Sequence, residues 1–85
     1  MRVVFLMDLT DAPDALARVL CPFTVLQAEL VLVEMRRTAR GAHLRLEADG
    51  LDPHWARILA RRLEHNPQVL SISLGWRSGQ NGQPV

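Results

Sequence analysis

From Ala42 to Asp49 the chain alternates without a break, with Ala42, Leu44, Leu46 and Ala48 on one register and His43, Arg45, Glu47 and Asp49 on the other. Successive strand side chains point to opposite faces, so this segment is a strand with one face in a core and one toward solvent or an interface. The rest of the chain has to supply a layer that covers the aliphatic face.

Two segments have the periodicity for that layer. Leu16, Val19, Leu20, Phe23 and Leu26 recur at helical spacing and predict a first helix from near Ala12, capped by the Asp11 carboxylate with Pro13 in its first turn. Pro22 falls inside this stripe and is expected to kink or end the helix. A second helix lies between the start signal Asp52-Pro53 and the stop signal Asn66-Pro67, with Trp55, Ile58, Leu59 and Leu63 inward and Arg57, Arg61, Arg62 and Glu64 outward.

Three further strands frame these helices. Residues 2 to 8 form an apolar run that reads as a central strand. Residues 28 to 37 are rich in Val and Leu and lead into the alternating strand through a turn at Thr38-Ala39-Arg40-Gly41, where glycine supplies the tolerance for positive φ. In residues 69 to 76, Leu70, Ile72, Leu74 and Trp76 share one face and Ser71 and Ser73 the other. The order β-α-β-β-α-β predicts an α+β, ferredoxin-like fold. Right-handed crossovers put both helices on one face of a four-stranded antiparallel sheet, with the first and third strands central. The opposite face is expected to be bare. Residues 1 to 76 make one domain, and the tail from 77 to 85 lacks periodicity and is expected to be disordered and dispensable for folding.

Composition narrows the function. Hydrophobic residues are 48% of the 85 and charged residues 22%, too apolar for a disordered chain. Ten basic residues, all arginine, nearly balance nine acidic ones, so no broad field would draw nucleic acid or a membrane surface. Cys21 is the single cysteine. It excludes an internal disulfide and the thiolate pair of a soft-metal chaperone, fits a reducing cytoplasmic setting, and reads as a buried residue beside Leu20 and Phe23. The run from Val3 to Met7 is too short for a signal peptide or a membrane span.

Residues with chemical potential have plainer readings. Tyr is absent and Phe5 is assigned to the core, which removes the stacking platform of an RNA-binding sheet. Arg36, Arg37 and Arg40 could grip phosphate but read as a solvated turn tip. His43, His54 and His65 have no spacing that converges on a metal. Asp8, Asp11 and Asp14 cluster around the first loop and could hold a hard cation or do acid–base work, but capping by Asp11 and helix-end stabilisation by Asp14 account for two of them. No cofactor is expected.

The segment Asp11-Ala12-Pro13-Asp14-Ala15-Leu16-Ala17-Arg18-Val19-Leu20, followed by Pro22-Phe23, resembles the first loop and helix of ACT domains, which read Asn or Asp, any residue, Pro, Gly, any residue, Leu, any residue, Arg, Val. Leu59, Leu63 and Val69 match the second half in outline, and the chain is most similar to the short, ACT-only small subunits of acetolactate synthase. The resemblance implies a non-catalytic regulatory domain that pairs with a second copy, binds an amino-acid effector and modulates a thiamine-diphosphate-dependent catalytic subunit. It assigns the effector site to Thr10, Asp11, Ala12, Pro13, Asp14 and Ala15. Asp14 stands where the family has glycine, and Gln27 stands near a second family glycine. With Asp8 and Asp11 nearby, Asp14 is expected to oppose an effector carboxylate at the helix N-terminus. The other readings are a stand-alone amino-acid sensor and a minor ferredoxin-like enzyme using the aspartate loop. The long apolar run at Leu30, Val31, Leu32 and Val33 predicts a homodimer built through that strand.

Overall fold

A computed structural model describes residues 2–77, in the order β1 (Arg2–Leu9), α1 (Ala15–Val25), β2 (Glu29–Thr38), β3 (Gly41–Asp49), α2 (Pro53–Glu64) and β4 (Val69–Arg77). The sheet order is β2-β3-β1-β4, and each neighbouring pair is antiparallel. This is the α+β, ferredoxin-like arrangement expected from the order of elements. Since β4 extends to Arg77, the folded unit runs one residue past the expected boundary at 76; the rest of the tail lies outside the described residues.

Register explains the core. Val3, Phe5 and Met7 pair with Ala48, Leu46 and Leu44 of β3 and with Trp76, Leu74 and Ile72 of β4, so the apolar sets of three strands form one surface under the helices. Phe5, Val19, Phe23, Leu44, Leu46, Leu59 and Leu63 are buried there. The rings of Phe5 and Phe23 meet edge to face, with centroids 5.0 Å apart. Leu70 departs from the expected β4 face: pairing slips between Asp8 and Leu9, and Leu70 stands exposed at the irregularity while Val69 turns inward. In α2, Trp55 is exposed and Ala56 takes the expected inward place, because the helix rotates its stripe to Ala56, Leu59 and Leu63.

α1 departs from its expected limits at the start. Ala12 to Ala15 form a turn closed by the Ala15 N–H donating to the Ala12 carbonyl, with Pro13 at its second position, and the helix begins only at Ala15. Asp14, not Asp11, is the cap residue, and its side chain makes no capping hydrogen bond. Pro22 does not end the helix, which continues to Val25. Stopping there would forfeit the fully buried Phe23, a loss of about 3–5 kcal/mol, against about 3 kcal/mol for an internal proline. The end comes at Gln27, in the left-handed region at φ 58°. There the Gln27 N–H donates to the Thr24 carbonyl and the Ala28 N–H to the Phe23 carbonyl, the paired bonds of a Schellman stop. Among the described residues no helix is long and apolar enough to cross a membrane.

Candidate functional site

The first loop does not close over the end of the sheet. It leaves a cleft of about 310 Å³ lined by Leu9, Thr10, Asp11, Ala12, Pro13, Ala15 and Leu16 on one side and by Met35, Arg37, Gly41 and Ala42 of the β2–β3 hairpin on the other. Close packing at Gly41 fixes the two walls, since a Cβ built there would lie 2.0 Å from the Leu9 carbonyl oxygen. Thr10 is tied on the other side, where its N–H and hydroxyl both donate to Gln68. Five of the six expected site residues line the cleft, and Asp14 does not.

Arg37 is the residue that sequence reasoning set aside. Its guanidinium donates to the Asp11 carboxylate at 2.8 Å across the rim, with both side chains largely exposed. The register could have revealed it. The two-residue turn pairs Arg37 with Ala42, which follows the buried Gly41 and itself pairs with Leu9. Such an exposed pair is worth about 0–1 kcal/mol, little enough for a ligand to open it.

The three aspartates that are close in sequence do not meet. Asp11 faces Arg37 at the cleft. Asp14 accepts from Arg18 one turn along α1, and this hydrogen bond holds its carboxyl below the usual range. Asp8 belongs to the opposite face of the sheet, where His43 Nδ1 lies 3.0 Å from one carboxylate oxygen and the Ser71 hydroxyl donates to the other at 2.8 Å. The hydrogen bond with His43, then that from Ser71, lowers its carboxyl. A shared cation site or aspartate dyad therefore lacks its geometry, and among the described residues no group of three metal-ligating side chains forms. Ser71 bonds to the carboxylate rather than to the imidazole, so these three also lack the nucleophile–base contact of a hydrolase.

The face expected to be bare is laced with charge. Glu47 is buried, its side chain 4% exposed beneath Arg2, Arg45 and Arg77. Arg2 also donates to both oxygens of Asp49. Burial pushes the Glu47 carboxyl up, but the Arg45 hydrogen bond and the charges of Arg77, Arg45 and Arg2 outweigh it and hold it below the usual range. Val4 is buried on the same face.

The β2 edge is exposed at Val31, Leu32, Val33 and Met35, while Leu30 is half-buried against the core. The ladder slips between Leu30 and Leu32. Cys21, expected to be buried, is exposed, because the inward stripe of α1 is Ala15, Val19 and Phe23.

No family model matches the sequence, and a search of curated proteins returned no match. Among solved structures, the chain is similar in fold to the C-terminal domain of the MgtC protein from Mycobacterium tuberculosis, with a TM-score of 0.62 and 15% identity over 87% of this chain and 82% of that one. At that identity the likeness concerns the fold of the domain.

Proposed function

We propose that this chain is a non-catalytic, ACT-like regulatory domain of the cytoplasm that pairs with a second copy through β2, binds an amino acid in the first-loop cleft, and modulates an enzyme of amino-acid metabolism. Acetolactate synthase, through its thiamine-diphosphate-dependent catalytic subunit, is the partner favoured by the sequence resemblance. The observation that carries the reading is the cleft itself. Its rim holds one cation and one anion, Arg37 and Asp11, and its walls include Leu9, Leu16 and Met35. An α-amino acid has the complementary pattern: a carboxylate for Arg37, an ammonium for Asp11 and an aliphatic group for the walls. Asp14, expected to oppose an effector carboxylate, pairs with Arg18 and does not line the cleft, which favours binding there.

Calorimetry with free amino acids tests the reading. Valine or leucine should bind, and Arg37→Ala should weaken binding about tenfold or more. No heat from any amino acid would overturn it. The exposed edge at Val31 and Val33 supports pairing. Wild type should sediment as a dimer and Val31→Glu with Val33→Glu as a monomer. Retained amino-acid binding without co-purification of a catalytic chain would favour the stand-alone sensor.

A further inference from the structure

At the far end of α1 from this cleft, the C-terminal half of α1 and one side of α2 flank a groove of about 220 Å³ lined by Cys21, Pro22, Val25, Leu26, Trp55, Ile58, Leu59 and Arg62. Its walls are unusually apolar for an outer surface: Val25 is 72% exposed and Trp55 49%. A shallower hollow lined by Ile58, Arg61, Arg62 and His65 shares Ile58 and Arg62 with it. Neither lining contains a carboxylate; Glu64 lies with Arg61 on the side toward β4, and among the described residues Arg61 and Arg62, like Arg36, Arg40 and Arg57, form no ion pair. Arginines in the last turn of a helix complement its dipole, and that accounts for their sign. It does not account for an exposed tryptophan beside them or for the open apolar groove.

We propose that this groove receives an acidic segment of a partner protein, an amphipathic helix whose aliphatic face fills the space between Val25, Trp55 and Ile58 and whose carboxylates meet Arg61 and Arg62. Charge complementarity selects this occupant. A second copy laid on this face would bring the same arginines and no carboxylate from the groove lining, so it offers the groove no opposite charge. A flat lipid surface would leave a concave groove unfilled. A helix laid in the groove presents apolar anchors at i, i+4 and i+7 and keeps its acidic flanks over the two arginines. Trp55 and the arginines are residue types that dominate binding energy at interfaces. The inference does not require the first-loop cleft to bind anything, so either reading can fail alone.

The test uses the whole chain with Trp76→Phe, so that fluorescence reports Trp55, and a synthetic helical peptide with leucine at i, i+4 and i+7 flanked by glutamates. The peptide should shift Trp55 emission to the blue saturably and slow maleimide labelling of Cys21. Replacing Arg61 and Arg62 together by Glu should weaken binding about tenfold or more. Trp55→Ala, followed through Cys21 protection, should weaken it as well and keeps the test open if the arginine variant folds poorly. The same peptide with lysine for glutamate should not bind. Absence of a saturable shift, or equal binding by the lysine peptide, would overturn the proposal. A shift with phosphatidylglycerol vesicles but not peptide would overturn it in favour of a membrane surface, and a concentration-dependent shift of the protein alone in favour of a second copy.

Discussion

Both helices of this domain follow an aspartate and a proline, and they begin in different ways. Asp52 does the local work: its side chain accepts from the His54 N–H at 2.7 Å, Pro53 fills the first turn, and α2 starts where the pattern says. In the first loop the same residue types are spread over Asp11, Pro13 and Asp14. Pro13 goes to a turn, Asp11 to Arg37, and the helix begins at Ala15 with no side-chain cap. The start of α2 is closed by its own side chain and needs no other strand to hold it. That of α1, held by contacts with other strands, leaves the cleft that is the candidate site.

If tertiary contact holds the first loop, the largest effect belongs to the glycine it touches. Gly41→Ala would force a Cβ into the Leu9 carbonyl and should cost roughly 2–4 kcal/mol in denaturant unfolding. Gly50, ahead of α2, has φ 77°, and a methyl group added to it would meet nothing within 4 Å, so Gly50→Ala should cost only about 1 kcal/mol of backbone strain. Equal losses would erase the contrast between the two loops.

The caps should separate next. Asp52→Ala should destabilise by about 1 kcal/mol, and Asp14→Ala by clearly less, since it gives up an exposed ion pair and no capping bond. Thermal unfolding of the two variants decides this, and a larger loss at Asp14 would show that α1 is capped after all. At the other end of α1, Gln27→Gly should raise stability by about 0.5–1 kcal/mol in the same assay, because glycine takes the left-handed stop without strain.

The smallest effect concerns acid. Arg18 holds the Asp14 carboxyl below its ordinary value, so the slight stability this pair adds is complete above the unfolded-state pKa. It disappears as pH falls through the lower folded-state one. An NMR titration should place Asp14 below a free aspartate, and Arg18→Ala should return it to the ordinary range. An unmoved titration would mean that the ion pair is not made in solution.

The alternation of β3, the helical stripes and the Asp52-Pro53 start were legible in the sequence because each depends on neighbours within a few residues. Their order alone then selected the sheet topology, since short connections and right-handed crossovers leave few ways to bury three apolar strand faces under two helices. Gln27 was noticed where a glycine was expected, and the structure supplied its meaning as a left-handed helix stop. What the sequence could not decide were the partners of charges. Asp8, Asp11 and Asp14 are close along the chain, yet a strand sends Asp8 to the opposite sheet face, a turn leaves Asp11 to Arg37, and a helix gives Asp14 to Arg18. Glu47 reads locally as a solvent-facing residue and is buried because three arginines from three strands converge on it. Backbone periodicity is a local property, whereas the destination of a side-chain charge depends on register and on which strands lie side by side, which only the folded chain sets.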